Sequence, residues 1–284
     1  MSYFQNCLIC NSENLMVLKG YEKDYLIKCK NCSFVFSQKQ PTYQELIEEY
    51  AKYSRSNQIS EITLSRYYSL LEKFEKYRIK NNIIDIGAGD GFFAEQAKLK
   101  SWNSYATEFD DKSVALCLEK GVVVHKGKLD VNNYEKDFFD VIFSSEVLEH
   151  INNPVEEIKG FHTILRPGGL VYLTTPNLNS ISHKILKNKW NIFHYPEHIS
   201  YYSPKTIEKL FNDNGFKKLG IETTGFSPQR YFQSLGKSQT NNNDDNLREK
   251  TENKFLWRTL KQIINTLLNV SKTGDAMKVM FVKV

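Results

Sequence analysis

The stretch Ile83-Ile84-Asp85-Ile86-Gly87-Ala88-Gly89-Asp90-Gly91 constrains this chain more than any other. A short apolar run ends in an acid, and three glycines follow at alternate positions. The run has the length and β-branched composition of a buried strand. The glycines admit positive φ angles and a close approach of backbone to ligand, and Phe92 to Lys100 then reads as a helix. Strand, glycine turn and helix open a doubly wound α/β domain, where ligands sit at the carboxyl ends of the strands. The spacing also narrows the ligand. A dinucleotide turn is G-x-G-x-x-G, so that pyrophosphate meets a helix N-terminus. Here the form is G-x-G-x-G.

Further strands are expected at 104–108, 122–124, 139–144, 170–174, 218–224 and 277–282, making seven. Helical patterns separate most of them, which implies a mostly parallel sheet. Asp111 to Lys120 is one such helix, with Cys117 as a core residue. Another starts with Asn153 as N-cap and Pro154 at its first position, and ends near Arg166-Pro167-Gly168-Gly169. Ser203-Pro204 opens a third, which stops at Gly215. Ahead of the sheet, Tyr43–Tyr53 and Ile59–Lys76 read as helices of a connector or lid, residues 41–78. Residues 229–270 form an insertion before the last strand, polar at 236–246 and helical from Phe255, and are expected to cover the acceptor site. The apolar stripe from Leu256 to Leu268 suits a core or dimer helix, or, more weakly, a membrane-surface helix over 254–270.

Four of the five cysteines form two pairs, Cys7-x2-Cys10 and Cys29-x2-Cys32. Each pair fits a tight turn presenting two thiolates, and two such turns complete a tetrahedral shell around zinc. Residues 1–40 therefore read as a zinc ribbon. Four sulfur ligands leave no open position, so the ion is structural. Two disulfides are the alternative, disfavoured in a reducing compartment. No basic-then-apolar leader and no run of about 20 apolar residues is visible, so a cytoplasmic location is expected.

The glycine turn with its preceding Asp85 resembles motif I of the class I S-adenosylmethionine-dependent methyltransferases. Glu108, at the end of the second strand, matches their ribose-binding acid. Ser144-Ser145-Glu146-Val147-Leu148-Glu149-His150 is similar to the segment after their fourth strand. Leu165-Arg166-Pro167-Gly168-Gly169 is similar to their L-x-P-G-G turn, and Tyr195-Pro196-Glu197-His198-Ile199-Ser200-Tyr201-Tyr202-Ser203 to a substrate-side segment in members acting on small molecules. The resemblance implies cofactor contacts for Asp85, Gly87, Gly89, Gly91, Glu108 and Ser145. Gly127-Lys128-Leu129-Asp130 departs from relatives that place an acid against adenine, which leaves the backbone of Lys128 and Leu129 for that contact. A ribbon ahead of this domain recurs in bacterial methyltransferases of sugar and surface-glycan biosynthesis. Those that methylate sugar carbon carry a further C-terminal domain, where this chain has only the insertion.

The implied reaction is methyl transfer to a sugar, nucleotide-sugar or phosphorylated small molecule, with O-methylation favoured. The net charge of +5 and the cluster Lys184, Lys187 and Lys189 suit either a solvated Lys- and Asn-rich surface or attraction to an anionic acceptor. A hydroxyl acceptor calls for a general base, and His150 is the first candidate, followed by His198 and His194. An ordinary histidine titrates near pH ~6.5, so the rate is expected to rise through that region. An RNA methyltransferase that uses the ribbon for binding is the second reading. Against it, the lysines of residues 1–40 are offset by acids, and no aromatic-and-basic stripe is present. A non-catalytic adaptor on the same fold is the third. The acceptor's identity and the oligomeric state stay open.

Overall fold

In the computed structural model, residues 2–50, 52, 58–225, 234 and 255–284 are described. A seven-stranded sheet organises them. Its strands in chain order are β4 (Asn82–Ile86), β5 (Asn103–Glu108), β6 (Val123–Lys126), β7 (Phe139–Ser145), β8 (Leu165–Pro176), β10 (Phe216–Thr224) and β11 (Ala276–Lys283). Across the sheet the order is β10-β11-β8-β7-β4-β5-β6. β4 pairs in parallel with β5 and β7, and β7 with β8, while β11 runs antiparallel to both of its neighbours. The doubly wound, mostly parallel sheet expected from the sequence is what forms.

Helix α3 (Phe92–Leu99) follows the glycine turn, α4 (Asp111–Glu119) follows β5, and α5 (Pro154–Ile164) joins β7 to β8. Pro154 begins α5 as expected, but the Asn153 side chain makes no capping hydrogen bond. The helix ends at Ile164 and β8 starts directly at Leu165, so Arg166-Pro167-Gly168-Gly169 belongs to a strand with a register shift rather than to a turn. Arg166 explains why. Its guanidinium reaches back to the buried Asp140 carboxylate on β7 and to the Tyr77 carbonyl. Asp140 also accepts the amides of Lys80 and Asn82. These bonds fix the entry ends of β4, β7 and β8 together, at the edge opposite the glycine turn.

The first long helix, α2 (Glu61–Phe74), is capped by Ser60, whose hydroxyl accepts the Thr63 amide. Its apolar face lies on the sheet rather than over open solvent. Tyr67 meets Phe93 and Phe143, and Phe74 meets Phe93 and Tyr172, as ring pairs at 5.3 to 6.4 Å. The preceding helix, α1, spans Tyr43–Tyr50.

The N-terminal module contributes β1 (Leu15–Val17), β2 (Leu26–Cys29) and β3 (Val35–Ser37), an antiparallel ladder. A fourth strand, β9 (Ser200–Tyr201), comes from far along the chain and pairs with β3, Tyr201 opposite Val35 and Ser200 opposite Phe36. Phe34 packs on Tyr202 with ring centroids 5.1 Å apart, so the two apolar cores are continuous. Neither β9 nor the short helix α6 (Ile181–Leu186) was expected from the sequence, because two-residue strands and single-turn pieces carry no periodicity.

Ser203 and Thr206 form a reciprocal capping box at the start of α7 (Pro204–Asn212). Helix α8 spans Phe255–Val270. Leu268 is buried, whereas Ile263, Ile264, Leu267 and Val270 are exposed, so the described part of α8 is not a core helix. Most of the expected 229–270 insertion, including the polar stretch 236–246, lies outside the described residues. No helix among the described residues is long and apolar enough to cross a membrane.

Candidate active site

Because β5 and β7 flank β4 in parallel, the loops leaving their carboxyl ends converge on the glycine turn. Gly87 and Ala88 donate their amides to the Thr107 carbonyl at 2.9 and 3.0 Å. The three glycines have different reasons for being glycine. A Cβ on Gly87 would stand 2.5 Å from Val147, and one on Gly91 would stand 2.7 Å from the Cys117 sulfur. A Cβ on Gly89, at φ +54°, would meet nothing within 4 Å. Gly87 and Gly91 admit the neighbouring elements, and Gly89 leaves an open cradle in front of the turn.

Glu108 ends β5 with its carboxylate already aimed there. One oxygen accepts the Gly89 amide at 2.7 Å, and the other accepts the amides of Phe109 and Asp110 at 2.7 and 2.9 Å. Asp85 lies beneath, and burial, reinforced by the charge of Glu108, pushes its carboxyl well above the usual range. A nucleoside with a ribose diol fits this arrangement: open space over a glycine, and an acceptor carboxylate held at its edge.

Past β6, Lys126 to Val131 line a cleft of about 580 Å³ together with Glu156, Glu157 and Gly160. Lys128 and Leu129 are thus on a cavity wall just past β6, the strand that pairs with β5, which ends in Glu108. Asp130, on the same wall, accepts the Asn132 amide and side chain, at 3.0 and 2.9 Å. Burial raises the Glu157 carboxyl to about 7, with Lys128 opposing. On the other flank, Ser145 donates to Thr174, whose hydroxyl donates to Glu146, each at 2.9 Å. Glu146 has φ +55°, a conformation that L side chains rarely adopt and that recurs at functional loops.

The three histidines singled out in the sequence come together. His150, on the loop after β7, and His198 have ring centroids 4.8 Å apart. The amide of Ile199 donates to the Glu149 carbonyl at 3.0 Å, which ties the segment before β9 to that loop. Burial lowers the His150 imidazole to about 4, opposed by the carbonyls of Glu197 and Glu146. His194 is half exposed and holds Glu197 through Nδ1 at 2.8 Å. Burial, with the Glu49 charge adding, raises the Glu197 carboxyl to about 7. Glu149 and Glu197 are site residues that the sequence reading did not nominate. Both precede a nominated histidine directly, and that shared Glu-His dipeptide is the signal that was available.

The four cysteines also assemble. Cys7 and Cys32 have their sulfurs 3.5 Å apart, as do Cys10 and Cys29, and all four lie within 4.8 Å. These distances exclude disulfides and approach the ~3.8 Å edge of a tetrahedral Zn–S4 shell. Each pair sits on a turn closed by a backbone bond, Asn11 to Cys7 at 3.0 Å and Ser33 to Cys29 at 2.9 Å. Asn11 and Ser33 are left-handed, at φ 55° and 68°. The residues fit a structural zinc ion. Cys117, the fifth, is buried against the glycine turn.

Sheet order, glycine cradle and terminal acid define the fold of the S-adenosylmethionine-binding methyltransferases. The chain belongs to the methyltransferase-domain family, whose model matches residues 37–220. A solved S-adenosylmethionine-dependent methyltransferase from Archaeoglobus fulgidus superposes with a TM-score of 0.54 at 20% identity, covering 85% of this chain and all of that one. Geranyl diphosphate C-methyltransferase from Streptomyces coelicolor, solved with S-adenosyl-L-homocysteine, gives 0.52 at 10% identity, covering 78% and 77%. Among curated proteins, a ubiquinone biosynthesis O-methyltransferase from Pseudomonas aeruginosa is 30% identical over 104 residues, which is 34% of this chain and 45% of that protein. The chain thus spans under half the length of that relative. One of the same name from Chromobacterium violaceum is 22% identical over 166 residues, 54% and 72% of the two chains.

Proposed function

We propose that this protein transfers a methyl group from S-adenosylmethionine to a hydroxyl of a small organic acceptor. The open cradle over Gly89 beside the preset Glu108 carboxylate carries the reading. When bound, the cofactor supplies a methyl group already activated on a sulfonium. Glu108 accepts the ribose hydroxyls, and the backbone of Lys128 and Leu129 borders the base. Orienting acceptor and donor for in-line attack is worth roughly 7–11 kcal/mol, which is most of what such a reaction asks of a protein.

The loop after β7 and the segment 194–198 form the acceptor side. A hydroxyl must lose its proton as it attacks, and Glu197, held near pH 7 and oriented by His194, is matched to receive it. His150, kept neutral by burial, and His198 then orient the acceptor. The O-methyltransferase names of the curated relatives support oxygen as the atom methylated. Within that class we favour a nucleotide-sugar or other phosphorylated intermediate of surface-glycan assembly, because Lys184, Lys187 and Lys189 are exposed just ahead of the acceptor segment. Under this reading, residues 1–40 and 41–78 frame a methyltransferase domain of residues 79–284.

Mass-spectrometric product analysis with nucleotide-sugars, phosphorylated small molecules, phenols and RNA tests the proposal. A methylated hydroxyl product from one of the small-molecule classes is expected. A product formed only on RNA, or no product with cofactor bound, would replace it.

A further inference from the structure

We propose that Lys39, at the end of the N-terminal module, is a positioning residue for the acceptor turn 194–198: with Glu45 it fixes helix α1 against Tyr195 and so holds Glu49 facing Glu197.

Lys39 is 8% exposed, and an ammonium at that depth is costly unless it is paired. The Glu45 carboxylate lies 2.8 Å from its Nζ, and the rings of Tyr195 and Tyr25 have their centroids 4.7 and 5.2 Å away. Both rings are within reach of cation–π attraction. The hydrogen bond to Glu45 holds the lysine above its usual range, and Lys39 in turn holds the Glu45 carboxyl down at about 2, so both stay charged at any working pH. Tyr195 is held at both ends. Its hydroxyl shares its proton between the other Glu45 oxygen, at 3.2 Å, and the Gln40 carbonyl, at 3.3 Å. Its amide donates to the buried Asp24 carboxylate at 3.3 Å. Every one of these partners comes from residues 24–45, and Glu197 stands two positions past Tyr195. The turn between is closed by the His198 amide, which donates to the His194 carbonyl at 2.9 Å.

Helix α1 carries a second acid on the same side. Glu49 follows Glu45 by four residues, about one helical turn. It is buried, and its carboxylate lies 3.7 Å from His194 Nε2, while His194 Nδ1 bonds Glu197 at 2.8 Å. The groups facing Glu197 are therefore Glu49 and Lys52, His194 and His198 of its own turn, and His150 from the loop after β7, whose Nδ1 meets the Glu197 carbonyl. Among them the charge of Glu49 opposes ionisation of Glu197 and that of Lys52 favours it. If Lys39 loses its charge, Glu45 and Tyr195 lose their shared cation, α1 parts from the turn, and Glu49 recedes.

The effect on turnover rests on the reading of Glu197 as the base, but the hold on the turn does not. The test is a 13C NMR titration of the Glu197 carboxyl in the full chain, assigned by its loss in Glu197→Gln, alongside pH–rate profiles. The wild-type carboxyl should titrate near 7. Lys39→Met, which keeps the stem and removes the charge, should move that midpoint down and lower kcat by about tenfold or more. Loss of a positive charge alone would move a carboxyl up, so the sign separates displacement of Glu49 from a direct charge effect. Unchanged S-adenosylmethionine affinity by calorimetry identifies folded protein. Where Lys39→Met does not fold, Glu45→Gln gives the same readout with Lys39 in place. An unchanged or raised midpoint in the folded variant overturns the proposal, including where denaturant stability alone is lost. A lowered midpoint together with full turnover by Glu197→Gln removes the base reading and leaves the positioning role standing.

Discussion

At the scale of single residues, Gly89 separates binding from packing. In Gly89→Ala the new methyl meets no protein atom, so stability should fall only by the left-handed backbone penalty of about 1–2 kcal/mol. Cofactor affinity should fall sharply, since the methyl enters the cradle. Gly91→Ala should instead lose stability first, by collision with Cys117. Calorimetry and denaturant titration on both variants check this contrast, and equal cofactor affinity in Gly89→Ala would refute it. Glu197 sets the pH dependence. Its raised carboxyl must ionise to act as base, so turnover should rise as pH passes about 7. Glu197→Gln should abolish that rise and cut turnover by about 10²–10⁴-fold. His150, lowered to about 4, is neutral on both sides of this range, so the histidine inflection near pH ~6.5 expected from the sequence is not expected from the structure. A pH–rate profile for wild type and Glu197→Gln decides between them.

At the scale of elements, the Leu165–Gly169 stretch shows how a motif can be visible while its work is not. The sequence resemblance flags it beside the cofactor motifs, yet it lies at the entry end of the strands, where Arg166 closes on Asp140. Breaking a buried pair on one side leaves the other charge stranded, typically at a cost of 3–5 kcal/mol. Arg166→Ala should therefore lower unfolding stability by about that much, read by chemical denaturation, with cofactor affinity of the folded fraction unchanged. Reduced affinity at full stability would move the motif back to the cofactor. Helix α2 makes the complementary point. Its periodicity announced a helix, but only the ring contacts of Tyr67 and Phe74 show it covering the sheet.

At the scale of the molecule, the ribbon and the acceptor segment share one sheet and one core. A self-contained ribbon that lost its zinc would unfold alone and spare the rest of the chain. The β3–β9 pairing and the Phe34–Tyr202 contact give that loss a path to residues 192–203. Cys29→Ser should release the zinc, raise hydrogen exchange in both segments, and depress turnover more than cofactor binding, because Glu108 and Gly89 lie on the other side of the sheet's end. Exchange confined to residues 1–40 would show the ribbon to be a passive appendage.

What the sequence determined alone is what local spacing encodes. Glycines at alternate positions force one turn, C-x2-C pairs force one coordination geometry, and alternating strands and helices force a mostly parallel sheet. Asp85, Gly89, Glu108 and the four cysteines were legible for that reason. Only the tertiary structure decided which glycine faces a ligand, that Asn153 makes no cap, and that β9 closes the ribbon's sheet. It also decided the protonation of the acceptor-side groups. Burial separates His150 at about 4 from Glu197 at about 7, and burial comes from residues more than 40 positions apart in the chain, to which no local pattern refers.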